Sequence, residues 1–211
     1  MVTATYRRRA SVGRKLVTTF LPVAAVSVAV AGCSSSPSAA DKPDEHQGRV
    51  SALHLLAAKR APTGWKFAAQ PDGRAVLAIP PDMHQVEGDP GTVSAARIAD
   101  GKFVMYLNST PKQNKETLSN WPEFRIEHLK DESASTARLL AASHGVRFLG
   151  GTGSCVLDTY VTKIKSNHYT ELACIVQDKS GLNVIIAAAL SANWKSDSST
   201  LMRAVAAYRV R

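Results

Sequence analysis

Gly150-Gly151-Thr152-Gly153-Ser154 is the stretch of this sequence that most invites a chemical reading. Clustered glycines cradle phosphate when they lie between a strand and a helix N-terminus, because backbone N–H groups then converge on the anion. Here Cys155-Val156-Leu157 follows, a strand-like run with no Lys-Ser/Thr pair, so the glycines predict a turn or bulge. No glycine stands two residues after Ser154, which removes the nucleophile elbow. The six histidines are His46, His54, His84, His128, His144 and His168. None pair at i, i+4 and none form H-E-x-x-H, the spacing that sets two imidazoles around zinc on one helical face. They read as solvent-facing or turn residues, and Asp131-Glu132 as a solvated helix surface. Asp158 differs, because it interrupts the apolar run Cys155 to Val161. Strand alternation lets it point at water beside Tyr160 and Thr162, and it is also a candidate ligand-binding residue. Trp65, Trp121 and Trp194 each begin or end an element, where an indole either staples a core or rims a binding groove. They join Asp158 as candidate binding residues. No catalytic residue, metal ligand or cofactor is assigned. No basic stripe is interleaved with aromatics, so nucleic acid is not an expected partner.

Cys33 is the residue with the clearest chemistry. Arg7, Arg8, Arg9, Arg14 and Lys15 precede a 16-residue apolar stretch, Leu16 to Ala31, and residues 1–32 contain no acid. That is the layout of a secretory signal peptide. As a membrane-spanning helix it is short of the roughly 20 apolar residues needed, and it contains Thr18, Thr19, Pro22 and Ser27. Val30-Ala31-Gly32-Cys33 resembles the bacterial lipobox, whose small residues admit a peptidase to the bond before the Cys. The pattern implies that the Cys33 thiol takes a diacylglycerol and that residue 33 becomes the mature N-terminus. Two or more acyl chains make such an anchor stable where one does not. Arg8-Arg9 leaves both the general and the twin-arginine export routes open. Residues 33–43 then form a lipidated Cys and a Ser/Ala/Pro spacer that cannot build a core. The expected location is the outer face of the cell membrane.

The whole chain carries 26 Lys and Arg against 17 Asp and Glu, a formal charge of +9. Five of those cations lie in residues 1–32, so the mature chain has 21 against 17 and a charge of +4. The basic balance therefore belongs largely to the leader and says little about partners. Residues 44–211 are long enough for one domain with its own core. Setting Cys33 aside leaves Cys155 and Cys174, an even pair outside the cytoplasm, and these are expected to form a disulfide across a hairpin. A redox or zinc role lacks a C-x-x-C and further ligands at suitable spacing.

These residues must be positioned by the elements around them. A short amphipathic helix is expected from Asp44 to about Arg60, ended by Pro62 and Gly64. Strands are expected at 65–69, 75–79, 92–99 and 102–108, the last two joined by the hairpin signal Asp100-Gly101. The longest helix is expected from Asn120 as cap, through Pro122 and Glu123, along the stripe Ile126, Leu129, Ser133, Ala137, Leu140 and Ala141 to His144-Gly145. Strands at 146–149, 154–164, 169–177 and 182–189 follow. A terminal helix capped by Asp197 and Ser198 then presents Leu201, Val205 and Tyr208 on one face. Asn108-Ser109-Thr110 has the form of a glycosylation sequon and is read as a strand end.

Strands separated by one long helix and closed by a terminal helix predict an α+β fold, an antiparallel sheet of six to eight strands. The order of elements over residues 63–210 resembles the PsbP/Mog1-like α/β/α sandwich found in actinobacterial envelope lipoproteins of the LpqN type. The lipobox, Trp65, the strand ending at Ile79-Pro80, the central helix and the hairpin-plus-helix finish carry the resemblance. Asp82-Met83 stands where those proteins often have Gly-Trp, and the helix at 47–60 is additional. The resemblance implies a non-enzymatic domain that binds an envelope protein or a small ligand. The competing expectation is an envelope hydrolase whose residues are scattered through the sequence.

Overall fold

The Asp-Gly signal does what its chemistry requires. In the computed structural model, which describes residues 53, 56–132 and 134–211, Asp100 and Gly101 both take positive φ, 50° and 67°. This is the backbone of a type I′ turn, whose twist matches that of the strands it joins. Ala99 and Lys102 pair directly across it. The elements run β1 (Lys66–Ala69), β2 (Ala75–Ile79), β3 (His84–Val86), β4 (Val93–Ala99), β5 (Lys102–Pro111), α1 (Trp121–Glu132), β6 (Ala134–Phe148), β7 (Gly151–Thr162), β8 (His168–Gln177), β9 (Leu182–Leu190), α2 (Trp194–Ala206) and β10 (Arg209–Val210). Seven strands form one antiparallel sheet in the order β3-β4-β5-β9-β8-β7-β6, and β1-β2-β10 form a second, three-stranded sheet.

Neighbouring residues of a strand serve opposite layers. Cys155, Cys174, Ile185 and Leu107 join one core with α2 and the small sheet. Val156, Ala173, Ile175 and Val184 form a second core with Trp121 of α1. The large sheet is therefore sandwiched, with α1 on one face and α2 plus the small sheet on the other. Polar ties fix the second layer: Gln70 Nε2 donates to Ser109 Oγ at 2.9 Å, and Ser109 Oγ and Tyr208 Oη lie 2.7 Å apart.

Cys155 faces Cys174 in the β7–β8 register, and the two are joined by a disulfide with Cα atoms 4.1 Å apart. Closing a loop of this length stabilises by about 3 kcal/mol on the chain-entropy account. The glycines before β7 serve close approach. Gly150 has φ 94°, and a Cβ there would run into the Val210 carbonyl where β10 passes.

Several expectations are corrected. The long helix ends at Glu132, and 134–148, where Ala137, Leu140 and Ala141 were to continue it, is strand β6. Its Ala, Leu and Arg content favours a helix, but pairing along β7 from Ala134 to Phe148 overrides that preference. Asn120 does not cap forward: its Oδ1 accepts from the Thr117 N–H at 2.7 Å, and its Nδ2 donates to Lys115 O. The terminal helix starts at Trp194, so Asp197 lies inside its first turn and not at the cap. Asn108 is an interior residue of β5, whose strand continues to Pro111. Of the helix expected at 44–60, residues 44–52, 54 and 55 lie outside the described residues, as do Cys33 and everything before it. Residues 56–60 are irregular.

Candidate functional site

Helix α1 buries Trp121, Arg125 and Leu129, the i, i+4, i+8 row of one face, together with Pro122 beside it. Trp121 anchors it: the indole Nε1 donates to the Ala173 carbonyl of β8 at 3.0 Å. One turn on, Arg125 is only 7% exposed. Its Nε donates to Glu171 Oε1 at 2.8 Å, and Nη2 reaches the same oxygen. Glu171 sits on β8 directly opposite Asp158 on β7, which in turn faces Leu139 on β6. Side chains so paired on one sheet face have Cβ atoms about 4.5–5.5 Å apart.

Two carboxylates thus share one guanidinium, unequally. Asp158 is fully buried, and neither of its oxygens has a hydrogen-bond partner. The expectation that it could point at water is overturned, because α1 covers that face of the sheet. Burial, and then the charge of Glu171, hold the Asp158 carboxyl well above the usual carboxylate range, with Arg125 pulling the other way. An unpaired carboxylate charge is costly here, and the shift is toward the protonated form. Burial and Glu171 likewise push up the phenol of Tyr160, next on the same face, whose ring stacks on Tyr169 at 5.6 Å. Burial works against the Arg125 charge, but Glu171, through its charge and its hydrogen bond, outweighs it and keeps the group cationic.

An open cleft of about 50 Å³ lies beside this cluster, between α1, the β5–α1 loop and β9. Trp121, Phe124, Arg125 and His128 line one wall, Val184 and Ile186 the other. Glu116 in the loop accepts from the Gln113 and Asn114 N–H groups at 2.6 and 2.8 Å. The rings of Trp121, Phe124 and His128 form a ladder with centroid spacings of 6.2 and 5.7 Å. A second hollow of about 270 Å³ continues past Phe124 and His128 to Glu127, Asp131 and Glu132. A cleft of this size admits one small or flat side group against Phe124 and Ile186, and Arg125, bonded to Glu171, forms part of its wall.

Of the sequence candidates, Trp121 and Asp158 fall on the α1 side of the sheet, and only Trp121 lines the cleft. Trp65 and Trp194 are partly buried against the other core and do not join it. Arg125, Glu171 and Phe124 were not singled out from sequence, and His128, expected to be a solvent-facing or turn residue, lies in α1 and lines the cleft. One signal could have found Glu171. If Cys155 is set opposite Cys174, stepping three residues along each strand sets Asp158 opposite Glu171.

A serine–histidine contact exists elsewhere: Ser154 Oγ lies 2.8 Å from His144 Nδ1. Ser154 is buried and its Oγ also reaches the Ser143 carbonyl at 3.4 Å. Among the described residues no side-chain hydrogen bond brings a carboxylate to that imidazole, so the third member of a triad is not assembled. Nor does any bring a histidine to Asp158.

No protein-family model matches this chain, and no curated protein does. Solved structures do match. The cyanobacterial PsbP (CyanoP) of Synechocystis superposes with a TM-score of 0.52 at 13% identity, over 70% of this chain and 92% of CyanoP. LpqN of Mycobacterium tuberculosis, described as involved in cell envelope biogenesis, gives a TM-score of 0.33 at 13% identity, over 69% of this chain and 90% of LpqN. Layered about one antiparallel sheet and superposing on CyanoP over nearly all of that protein, the chain has a PsbP-like α+β fold.

Proposed function

We propose that this chain is a lipid-anchored, extracytoplasmic binding domain, tethered through Cys33 and receiving a small ligand or a partner segment in the cleft beside α1, without bond-making chemistry. The observation that carries the reading is the cleft itself. Trp121, Phe124, Val184 and Ile186 give it an apolar surface beside the polar Thr110, Gln113, Asn114 and His128, and Arg125, held rigid by Glu171, stands in its wall. The Cys155–Cys174 disulfide supports an oxidising compartment. Among the described residues no helix is long and apolar enough to cross a membrane, and the assignment of Cys33 rests on the Val30-Ala31-Gly32-Cys33 pattern.

The test places a photo-crosslinking residue at His128, in the cleft, and a second at Glu87, outside it. Irradiating intact cell envelope is expected to give a discrete adduct from position 128 only. Equal adducts from both positions, or none, would defeat the reading. The Ser154–His144 contact is the specific observation behind the hydrolase alternative. Turnover of an ester or glycan substrate that disappears in Ser154→Ala would establish that alternative instead.

A further inference from the structure

The small sheet carries the most exposed aromatic side chain of the described residues, and it stands among cations. Phe67 on β1 is 60% exposed. It pairs with Ala78 of β2, and two residues back along β2 Val76 pairs with Arg209 of β10. One side of Phe67 opens into a hollow of about 180 Å³ lined by Val76, Ala207, Arg209 and Arg211. The other opens into a hollow of about 410 Å³ bordered by Lys66, Met83 and His84. Lys66, Arg209 and Arg211 are all exposed. Of the acids in neighbouring segments, Asp72 is paired with Arg74 at 3.0 Å, Asp178 accepts from Ser180 and Gly181, and Asp82, beside Met83, is paired with Arg97.

The Lys59 N–H donates to the Ala206 carbonyl at 2.8 Å, and the next residue, Ala207, lines the cationic hollow. We infer that the outer face of β1-β2-β10 rests on an anionic lipid surface, with Phe67 entering the acyl boundary and Arg209 and Arg211 meeting the headgroup phosphates. An aromatic ring beside arginines is the composition of an interfacial contact, and guanidinium groups bond phosphate oxygens through charge-assisted hydrogen bonds. The inference rests on the lipid-anchored reading for its setting. On this inference the cationic face turns toward the bilayer, and α1, on the opposite side of the large sheet, looks away from it.

The assay works without the anchor, so the two ideas fail separately. The mature chain from residue 33, carrying Cys33→Ser, contains every element described above. It is mixed with phosphatidylcholine vesicles, with or without phosphatidylglycerol, and binding is read by flotation. Binding is expected only with phosphatidylglycerol and is expected to fall with salt. Phe67→Ser should weaken it, and Arg209→Gln with Arg211→Gln should weaken it about fivefold per cation removed. Unchanged melting temperatures would show that these exposed substitutions leave the fold intact. No binding, equal binding to both vesicles, or wild-type binding by the variants would overturn the proposal. Full competition by inorganic phosphate with no dependence on Phe67 would overturn it too, in favour of a free-anion site. Acylation is read apart, by fatty-acid labelling of the full chain. An unlabelled chain that still binds the vesicles would sink the anchor and leave the face standing.

Discussion

Two arginines in this molecule each meet two carboxylates, and they do so in opposite surroundings. Arg97 on β4 donates to Asp82 and to Asp197 of α2, both at 2.7 Å, with its side chain 34% exposed. Arg125 is buried, bonds only Glu171, and leaves Asp158 without a partner. Water and salt screen the first group, which ties a loop and a helix to a strand at little energetic stake. In the second, every charge must be neutralised on the spot, because the interior offers no solvent to do it. The same residue types thus give an interchangeable surface clasp in one place and a proton-holding cluster in the other. The environment supplied by α1 makes the difference.

The harshest way to break the contrast is Arg125→Met, which strands Glu171 beside Asp158. It should cost about 3–5 kcal/mol in urea unfolding. Adding Glu171→Gln should recover much of that loss, and failure to recover would mean that packing and not charge dominates the site. Next in size, replacing Cys155 and Cys174 together by Ala should cost about 3 kcal/mol. The loss should match that produced by reducing the wild-type protein.

A milder test concerns Asp158 alone. Its folded value is raised, so the stabilisation contributed by its bound proton is fully present below the unfolded value of about 3.9 and is lost as pH rises through the folded one. Melting temperatures of the wild type should carry this decline, worth about 1.4 kcal/mol per pH unit of the window. Asp158→Asn should lack it, and parallel pH profiles would refute the assignment. The smallest effect is expected at Arg97→Ala, at most about 1 kcal/mol and shrinking with added salt, measured by the same unfolding curves.

Most of the strands were legible because they alternate in β-branched and aromatic residues and because Asp100-Gly101 can form a type I′ turn. The disulfide was legible from compartment and count. Strand β6 was not, since Ala-Arg-Leu-Leu-Ala-Ala is good helix composition and only the partner strand decides otherwise. Likewise, alternation places Asp158 and Tyr160 on one face but does not say which face is dry. That depends on α1, whose buried row contains an arginine and so does not read as a core-facing stripe. The cleft was illegible for a related reason: Phe124, His128, Val184 and Ile186 come from a helix and a strand far apart in sequence, and of its lining only Trp121 reads as a binding candidate, His128 having the spacing of a surface histidine.

The alternation of β7 sets a rule for how this sequence can change over time. Cys155 serves one layer and Asp158 the other, with two residues between them whose side chains are divided in the same way. A single inserted or deleted residue there would carry either the sulfur or the carboxyl through the plane of the sheet, into a layer that has no use for it. Drift in length is therefore confined to the connections, such as the one before α1. Any lineage that alters the cleft is expected to do so by reshaping that loop and leaving the spacing from cysteine to aspartate untouched.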